Sequence, residues 1–200
     1  MPGEQARRYN LFLINLNHAY ESKLLAHRVL NNISWHASQL NKSSSGFDRS
    51  CFFADAWRLE NQSTKACRMY RCIVAAILHS SENTLLGTIP VNKRALTEQA
   101  KLVQYTEQRV TRCISKLRST VTVVHNSKFA LTPRRKVRLS DYLYKIINLW
   151  LKYSEQCDKL ASLATSSSSF EWHSTGSDFR RLRNANSRPA YLPYLDKYEK

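Results

Sequence analysis

Two hundred residues carry 31 Lys and Arg against 15 Asp and Glu, a formal charge of +16, and the pI lies near 9.9. A hydrophobic share of 42%, with 7 Phe, 4 Trp and 10 Tyr, excludes a wholly disordered chain. No window approaches the roughly 18 uncharged apolar residues of a membrane span, and the Arg7-Arg8 charges lead into no signal-peptide core, so a soluble cytoplasmic protein is expected.

In chain order, residues 5–40 read as helix. Phe12, Leu13, Leu16, Tyr20, Leu24, Leu30, Ile33 and Ala37 return at three- and four-residue steps, with Asn31-Asn32 as a candidate interruption. Asn41–Ser50 has loop composition. Cys51–Leu59 is expected as a short helix with Phe52, Phe53, Ala56 and Trp57 on one face. A second helix should follow from about Thr64 to Ser80, with Ser63 or Thr64 as its cap. Gly87 marks a stop, and Thr88–Val91 is short and extended because of Pro90.

Charge then concentrates. Residues 91–140 hold 12 basic and 2 acidic side chains, so a quarter of the chain contributes +10 of the +16; residues 1–90 contribute +4 and residues 141–200 only +2. Such a patch points to a polyanionic partner. Within it, Thr97 is positioned to cap a helix from Glu98 to Gln104. Tyr105 is read as the break, and Thr106 as the cap of a second helix from Glu107 to Arg118. Val110, Cys113, Ile114 and Leu117 form the inner stripe of that second helix. Gln108, Arg109, Thr111, Arg112, Ser115 and Lys116 form its outer face, and these are the side-chain types that reach base edges and phosphates. Thr120–Val124 is β-branched throughout and reads as a strand, with His125–Lys128 as turn and Phe129–Thr132 as the returning strand. The hairpin turns either at Asn126-Ser127 or at the basic Pro133–Lys136 loop, where Arg134, Arg135 and Lys136 are adjacent.

The stretch Leu96–Leu117 resembles a helix-turn-helix unit. Its apolar spacing is similar to that of winged-helix transcription regulators of the MarR-like group, with Gln104 where that family usually carries Gly. The resemblance implies a recognition helix over 107–118 oriented by Thr106, and a wing over about 120–139. It implies a homodimer paired through residues 5–40 and 141–164, because two recognition helices one DNA turn apart read a palindrome. The bland alternative packs both of those helices inside one subunit.

Ser140-Asp141 should cap a last helix, Tyr142 to Ala164, with Leu143, Ile146, Ile147, Trp150, Leu151, Cys157 and Leu160 on its apolar side. Beyond Thr165 lies a serine-rich and then basic tail, in which Arg180, Arg181 and Arg183 are further phosphate candidates. The five cysteines form no Cys-x-x-Cys pair, His18, His27 and His36 recur every nine residues on alternating sides, and four glycines build no phosphate loop. No metal, cofactor or enzymatic arrangement is therefore expected.

The expected fold is mainly α, a winged helix-turn-helix core with a small β-hairpin wing, flanked by long N- and C-terminal helices. Its regions are an N-terminal helical part (1–60), a DNA-binding domain (61–140), a C-terminal helix (141–164) and a tail (165–200). The expected function is sequence-specific binding of double-stranded DNA in transcription regulation. Gln108, Arg109, Thr111, Arg112, Ser115 and Lys116 would lie in the major groove, and Lys128, Arg134, Arg135 and Lys136 on the wing. A plasmid or phage replication-initiation protein and a viral-type RNA-coating protein are the alternatives.

Overall fold

The computed structural model describes residues 2–42, 47–79, 92–127 and 131–165. They form four helices, α1 (Pro2–Leu40), α2 (Arg49–Leu78), α3 (Lys93–Asn126) and α4 (Pro133–Thr165). Each packs on the next, and α4 closes back on α1. Cross-links set the directions. Tyr9 at the start of α1 donates to the Ala164 carbonyl at the end of α4, while Ser140 near the start of α4 reaches Ala37 O near the end of α1. Arg71–Glu107, Arg49–Val124 and Ser22–Met69 align the remaining neighbours antiparallel in the same way. The result is an up-down-up-down bundle of helices about 45–60 Å long.

One spacing rule explains the bundle. Buried residues of α2 fall at Phe52, Ala56, Leu59, Ser63, Ala66, Tyr70, Ile73 and Ile77, alternating steps of four and three. In α3 the same alternation runs through Leu96, Ala100, Val103, Glu107, Val110, Ile114, Leu117, Val121 and Val124. In α4 it runs through Leu139, Leu143, Ile146, Trp150, Tyr153, Cys157, Leu160 and Ala164. A mean step of 3.5 holds one face of each helix against its neighbours with the shallow crossing of coiled-coil packing.

The mainly α class expected from the sequence agrees with the structure; the expected β-hairpin wing over about 120–139 does not. Among the described residues there is no strand, and α3 runs unbroken through Tyr105 and through the whole β-branched stretch Thr120–Val124. Two things overrule the strand propensity. Val121 and Val124 continue the buried seam that Leu117 belongs to, and Thr120 and Thr122 donate their hydroxyls to the Lys116 and Arg118 carbonyls one turn back. Thr106 is no cap either: it is buried inside the helix, whose N-cap is Asn92, accepting from the Ala95 amide at 3.1 Å. The helix-turn-helix over 96–118 is therefore replaced by a single straight segment.

Similar corrections apply elsewhere. Cys51–Leu59 and Thr64–Ser80 are not two helices, because Ser63 bonds to the Leu59 carbonyl within α2 instead of capping a new start. The cap of α2 is Asp48, whose carboxylate accepts from Ser50 N at 2.9 Å and Cys51 N at 3.1 Å. Those bonds, the one from Cys51 first, hold its pKa below the usual carboxylate range. Pro133 is not in a loop but at the first position of α4, where a missing N–H costs nothing, and Thr132 Oγ1 accepts from Arg135 N as cap. Ser140 and Asp141 lie within that helix rather than at its start. The Asn31-Asn32 pair does not interrupt α1. Thr88–Val91, Lys128–Ala130 and residues 166–200, with Arg180, Arg181 and Arg183, lie outside the described residues.

Helices α1 and α4 turn their apolar stripes toward each other within the subunit, around a polar layer. Lys23, 1% exposed, donates to Asp158 and to the Ser154 carbonyl at 3.3 Å, and stands over the Tyr20 ring. His27 Nε2 is 2.7 Å from Ser154 Oγ and edge-on to Trp150. Burial first, then the Lys23 charge, pushes the His27 pKa down from 6.5 to about 3, so the ring is neutral at pH 7. Because the folded pKa lies below the unfolded one, stability is full above pH 6.5 and is lost as the pH falls toward 3. At pH 5 the loss should be about 2 kcal/mol by linkage. Urea titrations between pH 7.5 and 4.5 should show this slope in the native protein and a clearly flatter one in His27→Gln; equal slopes would dismiss the assignment.

Candidate nucleic-acid interface

The outer-face residues of α3 fall into three groups. The side facing α2 carries Thr111, whose hydroxyl donates to Glu107 Oε1 at 3.0 Å, and Arg118, which lies over the Trp57 ring and reaches Glu60 at 3.4 Å. The side facing α4 is marked by two hydrogen bonds. Gln99 donates to the Gln156 carbonyl at 3.0 Å, and Tyr142 donates to the Cys113 carbonyl at 2.6 Å. Between these edges Lys101, Tyr105, Gln108, Arg109, Arg112 and Lys116 stand exposed.

The antiparallel register that those two bonds impose brings α4 alongside with its own cations. Arg138, Lys145, Lys152 and Lys159 recur every seven residues and all are exposed. Lys145 follows Tyr142 by three positions and Lys152 precedes Gln156 by four, so the row borders the α3-facing edge. Arg109 comes level with Lys145, and Lys116 with Arg138. Consecutive members of the row are about 10 Å apart along the axis. Helices α3 and α4 together carry fourteen Lys and Arg against five Asp and Glu. Two of those five acids are committed elsewhere: Glu107 is buried and held by Arg71 at 2.6 Å, and Asp158 is held by Lys23.

Of the residues expected at a DNA site, Gln108, Arg109, Arg112 and Lys116 share this face. Thr111 and Ser115 are turned to the α2 edge, where Thr111 bonds Glu107 and Ser115 donates to the Thr111 carbonyl. Arg134, Arg135 and Lys136 belong to the first turn of α4 instead of a wing, and Lys128 lies outside the described residues. Three cations in a first turn with no acid oppose the helix dipole, at about 0.3–1 kcal/mol each. An anion placed against them reverses that penalty.

Lys145, Lys152 and Lys159 were not singled out from the sequence. The signal was present as a seven-residue repeat of cations in phase with the apolar seam of the same helix. Segment totals hid it, because residues 141–200 also contain seven acids.

A smaller polar cleft of about 190 Å³ between α2 and α3 is lined by Arg68, Arg71, Thr64, Glu60 and Ser115. It is a poor anion site. Arg71 is bound to Glu107, Glu60 contributes a negative charge, and the Ser115 and Thr111 hydroxyl protons are already donated to Thr111 O and Glu107. Among the described residues no group of three or more His, Cys, Asp or Glu is placed to hold a metal, and no helix is long and apolar enough to cross a membrane. No protein-family model, no curated protein and no solved structure matches this chain.

Proposed function

We propose that the protein binds duplex DNA along its phosphate backbone, through the basic face shared by α3 and α4. The carrying observation is the double row of exposed cations, Arg109, Arg112 and Lys116 beside Arg138, Lys145, Lys152 and Lys159, on a face whose acids are few. Consecutive members of a row, about 10 Å apart along the axis, span about three phosphates of one strand. At this spacing, near one Debye length in physiological salt, the cations repel one another weakly and a polyanion relieves that repulsion.

Two features favour backbone grip over the alternatives. With side chains, a helix is about 10–12 Å across and the major groove about 12 Å wide, so a base-reading helix must stand proud of its neighbours. Helix α3 is flanked by α2 on one side and α4 on the other. The reading therefore extends to sequence-neutral binding and not to the choice of an operator. Coating of single strands relies on aromatic platforms. Tyr105 is the one large exposed aromatic that α3 and α4 offer among the described residues, and the Arg109 guanidinium lies 5.8 Å from its ring centre.

Fluorescence anisotropy with a labelled 25-base-pair duplex, its shuffled version, the corresponding single strand and duplex RNA, each at several salt concentrations, tests this. The two DNA duplexes should bind alike and more tightly than the single strand. The triple variant Arg109→Gln/Lys116→Gln/Lys145→Gln should flatten the slope of log affinity against log salt by about 2.7, roughly 0.9 per lost contact. Arg8→Gln, on α1, should leave it unchanged. A hundredfold preference for one duplex sequence, or a triple variant that binds like the native protein, overturns the proposal.

A further inference from the structure

A second recognition feature lies where the carboxy-terminal end of α3 meets the amino-terminal end of α4. A groove of about 550 Å³ opens there, within the size range of small-molecule sites. Its apolar lining comes from Val123 of α3, 71% exposed, from Leu131 before α4, and from Leu139 and the ring of Tyr142 on α4. Arg135 and Arg138 lie one turn before Leu139 and Tyr142 on the same face of α4, Ser119, Thr120 and Ser127 add hydroxyls, and no acidic residue lines the groove. The Tyr142 hydroxyl is already engaged with the Cys113 carbonyl, so the ring presents its carbon face.

The electrostatics of this corner have one sign. The free carbonyls at the end of a helix normally create a negative potential. Here Arg49 of α2 donates to Ser127 O at 2.6 Å and Val124 O at 3.4 Å, which neutralises that end of α3. The start of α4 adds the positive end of its dipole, and neither Arg135 nor Arg138 has an ion-pair partner among the described residues. A neutral apolar ligand would leave these cations unused, and a cationic one would be repelled.

We infer that this groove is a binding site for a small anionic amphiphile. Its apolar chain lies along Val123, Leu131 and Leu139, and its carboxylate is received by Arg135 and Arg138. The groove is shorter than the basic face and differs from it in having an apolar floor, which a phosphate backbone does not use.

Isothermal titration of the full chain with dodecanoate, kept below its micelle concentration and with no nucleic acid present, tests the site separately from DNA binding. One dodecanoate should bind per chain. Arg135→Gln/Arg138→Gln should weaken it at least tenfold. Val123→Asp, at an exposed position that leaves the core intact, should weaken it by a similar factor or more, and Arg112→Gln should not change it. Dodecyltrimethylammonium, with the same chain and the opposite charge, should not bind. Absence of dodecanoate binding, equal binding of the cationic analogue, or affinity unmoved by both groove variants overturns the inference.

Discussion

Asp158→Asn should lower stability by about 3 kcal/mol, a fall in Tm of roughly 6–12 °C for a chain of this size, because it leaves a buried ammonium without a counter-ion. Lys23 is almost wholly inside the bundle, and Asp158 is its anionic partner. Asp158 itself is about a quarter exposed, which places the effect at the lower end of the 3–5 kcal/mol known for broken buried pairs. The reciprocal change behaves differently. Lys23→Met keeps the length of the side chain, removes the charge that needs solvation and leaves Asp158 able to reach water. It should be neutral or stabilising, and Lys23→Met/Asp158→Asn should recover most of the loss. Urea denaturation of the four proteins closes a double-mutant cycle. If Lys23→Met is as damaging as Asp158→Asn, the pair is a net source of stability, and the desolvation argument is wrong here.

Tyr105→Pro should be the most damaging exposed substitution in the protein, costing 3 kcal/mol or more. Tyr105 is 61% exposed and sits near the middle of α3, so its replacement removes little packing. The cost comes from the lost amide and from the clash of the ring with the carbonyl of Lys101, one turn back. Were Tyr105 the break of a helix-turn-helix, proline there would be tolerated. Tyr105→Ala is the control and should change stability by less than about 0.5 kcal/mol. Thermal unfolding followed by circular dichroism at 222 nm distinguishes the cases; a proline variant that melts like the alanine one contradicts a continuous α3.

Much of the bundle is legible in the sequence. The apolar residues assigned to the first and last helices are buried, with exceptions at the margin such as Leu151, and so is the stripe of Val110, Ile114 and Leu117. What misled was local chemistry read without its phase. Thr120–Val124 has strand propensity, yet the step from Leu117 to Val121 to Val124 already continues the four-three alternation that runs from Leu96 to Leu117. Ser63 and Thr106 are good capping residues, but both fall on the buried side of their helices, where a hydroxyl can bond back to its own backbone. Pro133 suits a stiff loop and a first helical turn equally, and the structure uses it for the turn. The basic character of residues 91–140 was plain from counting. That α4 lies beside α3 and doubles the charged face is a property of the antiparallel packing, which no linear count contains.

The ring of helix neighbours also orders the assembly of the chain in time. Helices α1 and α2, α2 and α3, and α3 and α4 are each consecutive, so their contacts close loops of modest length and form early. The seam between α4 and α1 is different: Tyr9 to Ala164 and Lys23 to Asp158 join residues 155 and 135 positions apart. Loop-closure entropy puts this seam last. The buried lysine and its aspartate thus lie on the closing edge, and both charges stay in water until that edge docks.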